Sequence, residues 1–247
     1  MKLMARLAMA PALAATRAAA ADGEKVFRSG PAQVALVELY TSEGCSSCPP
    51  AEAWLGGLKD LPGLWREFVP VAFHVNYWDR LGWKDALATP AFTARQYAHA
   101  EAWRSSQVYT PCFVRNGAEW RPSGGPERPG PADAGTLTLR WRAADRTAAV
   151  EFAPAAGAAK GALEVHLALL GGGIVSAVKR GENSGRTLRH EFVVLRLETQ
   201  SAAREAAAVS VTLPPRPDLA APRHALVAWV TRRGSLAPLQ AVGGWID

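Results

Sequence analysis

The chain has 247 residues, of which 49% are hydrophobic and 20% charged, and this composition is that of a globular protein with a sizeable core. The formal net charge is +6, but three of the basic residues lie within the first 17 positions and no cluster of basic and aromatic residues follows. Composition and charge therefore argue against nucleic-acid binding. The three cysteines are too few for a scaffold held together by disulfides.

Residues 1–21 have the order of a secretory signal peptide. Lys2 and Arg6 supply a basic start, an apolar stretch follows, and small residues precede a cleavage site near Ala20 or Ala21. No segment reaches the about 18 apolar residues that a membrane-spanning helix needs. We therefore expect a periplasmic or secreted protein that does not span a membrane, the alternative being an alanine-rich leader on a cytosolic protein.

The most informative stretch is residues 34–50, where an apolar run of strand length leads through a polar turn to Cys45-Ser-Ser-Cys48. The Pro49-Pro50 pair that follows suits the first turn of a helix. A sulfur at the amino end of a helix faces unpaired N–H groups and the positive end of the helix dipole, which stabilise its thiolate. This pattern predicts a redox pair, with Cys45 as the exposed nucleophile and Cys48 as the resolving thiol of a mixed-disulfide exchange.

Glu38 interrupts the apolar run that precedes the cysteines. One interpretation is a buried carboxylate with a raised pKa, placed behind the sulfurs to pass a proton to Cys48. The other is that this edge of the strand is solvated.

The elements that follow extend the pattern of a strand, a helix and a strand. The spacing predicts a helix over 51–64 and a buried strand over 68–75, so that the two strands pair in parallel across a right-handed crossover. Thr110-Pro111 is expected to form a cis peptide bond beside the sulfurs, with the Thr110 backbone holding the substrate. Asn116-Gly117 predicts a hairpin turn.

Beyond a Pro- and Gly-rich segment the hydrophobic period changes to two, and seven short strands are expected. The fold class predicted is an α/β thioredoxin-like domain followed by an all-β, sandwich-like domain. The only dense polar loop in the second half is Gly181–His190. The predicted organisation is a signal peptide over 1–21, the α/β domain over 22–121, a linker over 122–134 and the β domain over 135–247.

Two resemblances rest on these motifs. The cysteine motif, Thr110-Pro111 and the Asn116-Gly117 hairpin resemble the thioredoxin fold. Four longer stretches, 38–50, 74–85, 108–111 and 181–188, resemble a secreted bacterial family known as domain of unknown function 1223. This resemblance implies a thioredoxin-like domain and export, but the family carries no settled activity. Cys112 departs from the polar residue expected after the proline.

Three classes of function stay open. The first is a thiol–disulfide oxidoreductase without a cofactor, acting through Cys45, Cys48 and Glu38 on thiols or disulfides of proteins or small molecules. The second is a Cu(I) or Zn(II) binding or delivery protein that adds Cys112 and His74 to the cysteine pair. The third is a non-catalytic binding module with a structural disulfide. If Gly181–His190 reaches the Cys45 face, this loop shapes a substrate cleft.

Overall fold

A computed structural model describes residues 23–123, 126, 133–156, 161–202, 207–212 and 221–247. The predicted signal peptide and part of the predicted linker lie outside these residues. None of the described helices has the length and apolar character needed to cross a membrane. The strands and helices are β1 (Glu24–Arg28), β2 (Ala35–Thr41), α1 (Cys48–Gly57), β3 (Phe68–His74), α2 (Pro90–Ala102), β4 (Cys112–Arg115), β5 (Ala118–Trp120), β6 (Thr136–Arg142), β7 (Thr147–Ala153), β8 (Leu163–Gly172), β9 (Ile174–Ala177), β10 (Thr187–His190), β11 (Val193–Ala202), β12 (Ala207–Thr212), β13 (Arg223–Arg232) and β14 (Pro238–Trp245).

The predicted fold class, an α/β thioredoxin-like domain followed by an all-β domain, is wrong. The described chain is mostly β, with 14 strands and two α-helices. Its largest sheet has eight strands in the order β14-β13-β8-β11-β3-β2-β4-β5, so it combines strands from both halves of the chain. The two halves meet where β11 pairs in parallel with β3 at Val193 and Ala72. This pairing covers an edge of β3 that would otherwise present unpaired backbone groups.

The strands that carry the candidate site lie in the middle of this sheet. β2 and β3 are buried along their whole length and pair in parallel from Ala35–Phe68 to Thr41–His74, with α1 in the connection between them. Burial on both faces explains why their sequences are nearly continuous apolar runs. The parallel strand pair expected from the sequence is thus confirmed, and the last residues of both strands lie side by side at one end of the sheet.

A second core lies between the eight-stranded sheet and a four-stranded sheet of order β1-β6-β7-β12. Alternate residues of β6 and β7, such as Leu139 and Val150, pack against Leu167 and Leu226 of the larger sheet. The period of two in this part of the sequence therefore reflects strands with one buried and one exposed face.

The hairpin of β4 and β5 confirms the turn expected at Asn116-Gly117. Both turn residues have positive φ, 49° and 84°, which is the requirement that favours Asn-Gly in two-residue hairpins. The Asn116 side chain also accepts a hydrogen bond of 2.9 Å from the backbone N–H of Leu36, so the turn is fixed to the start of β2.

Gln240 connects the ends of the chain inside the protein. Its buried amide donates to the carbonyl oxygens of Gly30, Ala32 and Gly135 and accepts from the N–H of Val34 at 2.8 Å. Because buried backbone groups need partners, this one side chain fixes the segment before β2, the start of β6 and β14 to one another.

Candidate functional site

Cys45 and Cys48 form a disulfide at the junction of β2 and α1, with their Cα atoms 5.4 Å apart. Cys48 is the first residue of α1, and two backbone hydrogen bonds make the turn tight, from Cys45 N to Ser42 O at 3.1 Å and from Cys48 N to Cys45 O at 3.2 Å. The turn arises because the chain leaves a buried strand and starts a helix with proline in its first turn.

The predicted exposed position of Cys45 is wrong, because both cysteines have a relative exposure of 0%. Ser46 and Ser47, between them, are exposed. The Ser47 hydroxyl donates to Cys45 Sγ at 3.4 Å, since a disulfide sulfur has no proton to give. The carboxylate of Glu182 accepts hydrogen bonds from the N–H and the hydroxyl of Ser46, at 3.0 and 2.7 Å. These two bonds fix the exposed side of the cysteine turn in place.

The polar segment Gly181–His190 reaches the cysteine turn. Asn183 is completely buried, and its Nδ2 donates to the carbonyl oxygens of Glu43 and Cys45, both at 2.9 Å. Arg186 Nη1 donates to Asn183 Oδ1 at 2.8 Å and fixes the orientation of the amide. The second half of the chain therefore builds one wall of the disulfide site.

Trp78, in the segment between β3 and α2, contacts both the cysteine turn and the residue before the predicted cis-proline. The Thr110–Pro111 bond is cis, which confirms that prediction. Trp78 Nε1 donates to Thr110 Oγ1 at 2.7 Å, and the same residue lies against Gly44, where an added Cβ would be 2.9 Å from the Trp78 Cβ. Only glycine fits that position without moving the tryptophan.

The pKa of Glu38 is lowered in the structure, whereas the predicted proton shuttle assumed a raised one. The residue is buried, as the sharper interpretation required, but Arg95 of α2 donates two hydrogen bonds to its carboxylate, at 2.8 and 2.9 Å, and Tyr40 donates a third at 2.9 Å. Burial alone would raise the pKa of Glu38, but Arg95 and His99 outweigh it and hold this pKa well below its usual range. Glu38 therefore lacks the raised pKa on which the predicted proton transfer to Cys48 depended.

A buried group of histidines and carboxylates joins the residue pair before Cys45, α1 and the ends of β3 and β10, and sequence reasoning missed it as a group. We call it the His–carboxylate cluster. His190 Nδ1 contacts a carboxylate oxygen of Glu52, and its Nε2 is 3.2 Å from Glu43 Oε1. His74 Nδ1 is 2.7 Å from Asp85 Oδ2, and the two histidine rings pack edge to face at 5.1 Å. Its members are Glu43, Glu52, His74, Asp85 and His190, all buried.

Neighbouring groups hold the carboxylates of the cluster in place. Thr41 donates to Glu52 Oε1 at 2.6 Å, and the indole of Trp83 donates to Glu43 Oε2 at 2.6 Å. Asp85 accepts from the N–H groups of Glu43 and Leu87, both at 2.9 Å. The carboxylates are therefore oriented before any ligand arrives.

The cluster shifts the pKa values of its members strongly. Burial would lower the pKa of His190, but pairing with Glu43 and Glu52 raises it to about 10. The pKa of His74 is likewise raised, by Asp85, against the effect of burial. Burial would raise the pKa values of Glu52 and Asp85, but their histidine partners lower both. Such mutually perturbed buried groups are typical of functional sites.

The predicted metal ligands Cys45, Cys48, Cys112 and His74 are not brought together as a ligand set. The first two are joined in the disulfide, and His74 belongs to the His–carboxylate cluster. Cys112 is a buried free thiol at the start of β4, and burial raises its pKa to about 11. Within the described part of the chain, the group of three metal-type side chains found close together is instead Glu52, His74 and His190, with candidate ligand atoms within 4.8 Å of one another.

A surface cavity of about 460 Å³ opens beside α1. Glu52 contributes to its wall, so the cavity leads from solvent to the edge of the His–carboxylate cluster. Three basic side chains lie around it, and the lining residues most relevant here are Pro49, Glu52, Lys59, Arg186 and Arg189.

Comparison with known proteins identifies a family but no activity. The model of a family described as protein of unknown function (DUF1223) matches residues 36–231. A crystal structure of protein AGR_C_4864 from Agrobacterium tumefaciens is similar over 87% of this chain and 96% of that one, with 23% identity and a TM-score of 0.58. HBP35 of Porphyromonas gingivalis is similar over 87% and 76%, with 12% identity and a TM-score of 0.58. At these identities the likeness shows a shared fold alone. No curated protein matches the chain.

Proposed function

The chain belongs to the DUF1223 family of proteins of unknown function, and we propose that it is an exported thiol–disulfide oxidoreductase whose reacting atoms are the sulfurs of Cys45 and Cys48. The observation that carries the proposal is the position of the disulfide at the amino end of α1. Reduction there releases a thiolate close to unpaired backbone N–H groups and the positive end of the helix dipole, which lower a thiol pKa.

The exchange needs no reagent beyond a substrate with two thiols. A substrate thiolate attacks Cys45 Sγ, the new S–S bond forms a mixed disulfide, and the bond to Cys48 breaks to leave a thiolate that takes up a proton. The second substrate thiolate then attacks the substrate sulfur of the mixed disulfide and releases Cys45 as a thiolate, which is protonated in turn. Two electrons and two protons pass from substrate to protein, and the reverse sequence reduces a substrate disulfide.

Access to Cys45 is controlled at the surface of the turn. Because Cys45 is buried and Glu182 holds Ser46 through two hydrogen bonds, a thiol has to displace this contact to reach the sulfur. The polar segment Gly181–His190 thus has the position of a substrate-cleft wall rather than of a separate binding surface, which favours the redox function over a non-catalytic binding module.

The decisive experiment measures the reduction potential of the Cys45–Cys48 pair in mature protein equilibrated with glutathione or dithiothreitol. A reversible two-electron couple between about −120 and −270 mV supports an oxidoreductase, whereas a potential below about −300 mV indicates a structural disulfide. The Cys48→Ser variant should trap a mixed disulfide with a disulfide substrate, because the lone Cys45 thiolate attacks the substrate S–S bond and the other substrate sulfur leaves as a thiolate. The Cys45→Ser variant should trap none at position 45. Cys112→Ser is the matched control, because it removes a thiol outside the disulfide.

Export rests on the order of residues 1–21, a basic start, an apolar stretch and a small-residue cleavage site. Expression of the full chain followed by fractionation and N-terminal sequencing tests it. A mature protein that begins near Asp22 in the periplasm or medium supports export, and an intact chain in the cytosol contradicts it.

A further inference from the structure

We propose that Glu52, His74 and His190 bind one divalent transition-metal cation, and that Zn(II) is the ion that fits them. The site is distinct from the disulfide and uses no sulfur, so it does not depend on the proposed redox function. It brings together the helix that follows the cysteines, the end of β3 and the end of β10.

The distances suit a single ion. The candidate ligand atoms of the three side chains lie within 4.8 Å of one another. Zinc bonds of about 2.0–2.1 Å in tetrahedral geometry hold ligand atoms about 3.4 Å apart. His190 Nδ1 and Glu52 Oε2 are in direct contact, so these two side chains have to rotate apart to admit the ion between them. Two histidines and one glutamate are a recognised zinc ligand set that leaves a fourth position open.

Both histidines also have a carboxylate beside the ring nitrogen that would not bind the ion. Asp85 is 2.7 Å from His74 Nδ1, which leaves Nε2 of that ring as the nitrogen available for an ion. His190 Nε2 is 3.2 Å from Glu43 Oε1, and Nδ1 of that ring, which contacts Glu52 Oε2, is the nitrogen that would bind the ion in place of this contact. Carboxylates that hold the second nitrogen of a ligating histidine fix its tautomer and its orientation.

Glu52 likewise has one oxygen held by a neighbouring group and one oxygen left for the ion. Its Oε1 accepts the hydrogen bond from Thr41, which leaves Oε2, the oxygen that contacts His190, to bind the ion. The carboxylate also lines the cavity beside α1, which provides a path from solvent.

An independent observation points to a missing ligand. His74 is completely buried, and its Nε2 has no hydrogen-bond partner among the residues that the structure describes. Leaving a buried polar atom without a partner is costly, and such atoms are rare in native proteins. A cation bound to Nε2 satisfies this atom, and the three surrounding carboxylates, Glu43, Glu52 and Asp85, favour positive charge at this place.

The experiment titrates the metal-free, oxidised protein with Zn(II) alone in a calorimeter and with Co(II) in a spectrophotometer. We expect one ion per chain, visible bands of four- or five-coordinate cobalt without thiolate charge-transfer bands, and contact-shifted NMR signals from two histidine rings. No binding of Zn(II), or a cobalt spectrum with thiolate bands, overturns the proposal.

Variants assign the ligands. Glu52→Gln and His74→Gln should weaken binding at least about 100-fold, and Asp85→Asn, which acts through His74, about 10- to 100-fold. His166→Gln is the matched control, because His166 is a buried histidine held by Thr199 and Thr231 in the second half. Unchanged affinity in Glu52→Gln contradicts the site.

Two measurements keep the outcome clear. If a ligand substitution prevents folding, as judged by near-UV circular dichroism, the cobalt and NMR spectra of the unaltered protein decide. The Cys45→Ser/Cys48→Ser double variant should bind Zn(II) as tightly as the parent, and loss of binding there would move the site to the sulfurs. A failed redox assay leaves this result untouched, because no sulfur is a ligand.

Discussion

Replacing Arg95 by methionine should destabilise the protein, and the loss should grow as the pH rises. Arg95 and Glu38 form a buried ion pair, with side-chain exposures of 8% and 1% and two hydrogen bonds of 2.8 and 2.9 Å. Methionine keeps much of the length of the arginine side chain but leaves the Glu38 carboxylate without its main partner. Breaking a buried pair in this way costs about 3–5 kcal/mol at neutral pH.

The pH dependence follows from the protonation of Glu38. In the native protein its folded pKa lies below the unfolded value of about 4.3, so this group adds stability above that pH and the contribution is lost as the pH falls. In the variant, burial acts without Arg95 and raises the folded pKa above the unfolded value, so stability is lost as the pH rises. Between the two folded pKa values the difference in unfolding free energy grows by about 1.4 kcal/mol per pH unit.

Urea unfolding at pH 4, 5, 6 and 7 measures this difference. The Glu38→Gln/Arg95→Met double variant is the control, because without the carboxylate only the packing loss against Phe73 and Trp229 remains, and that loss does not depend on pH. A difference between native protein and Arg95→Met that stays constant from pH 4 to pH 7 would refute the assignment of Glu38 as an ion-paired structural residue.

Three further results are expected. Cys112 should react with iodoacetamide at pH 8 only after unfolding, because burial raises its pKa to about 11; rapid labelling of the native protein contradicts this. Asn183→Ala should lower the unfolding free energy by about 1–3 kcal/mol and speed reduction of the disulfide by dithiothreitol, because two buried carbonyls lose their hydrogen-bond donor. The control variant Ser184→Ala, at an exposed position, should do neither. Burial, with Arg95 nearby, lowers the pKa of His166 to about 3, so its NMR signals should not titrate between pH 7 and pH 4.5. Because the pKa of histidine in the unfolded chain is about 6.5, the contribution of His166 to stability should be lost as the pH falls below that value. An NMR titration of His166 with its midpoint near pH 6.5 contradicts this.

The sequence predicts well those features that are encoded locally. The parallel pair β2 and β3, the hairpin at Asn116-Gly117 and the cis bond before Pro111 each arise from a short pattern of residues. The fold class could not be obtained in this way, because it depends on the pairing of Val193 with Ala72. The sequence of a buried apolar strand does not show which strand it will pair with. Hydrophobic periodicity therefore cannot predict a pairing between two strands that lie 120 residues apart.

The same limit applies to the candidate site. The cysteine motif identifies the disulfide, but the role of Glu38 depends on Arg95, which lies 57 positions away on α2. A carboxylate in an apolar run indicates burial, and only its partner decides whether its pKa rises or falls. In the sequence, His190 could be noticed because it lies in a dense polar segment, and Glu52 because it lies one helical turn after Cys48. Neither pattern shows that the two side chains contact each other.

The disulfide and the His–carboxylate cluster depend on both halves of the chain. Asn183 supplies the donors for the carbonyls of Glu43 and Cys45, and His190 supplies the charge that pairs with Glu43 and Glu52. Without the second half, three carboxylates would remain beside a single histidine, and the edge of β3 that β11 covers would be open. Because buried unpaired charges and open strand edges are both costly, the cysteine motif and the polar segment Gly181–His190 depend on each other for stability.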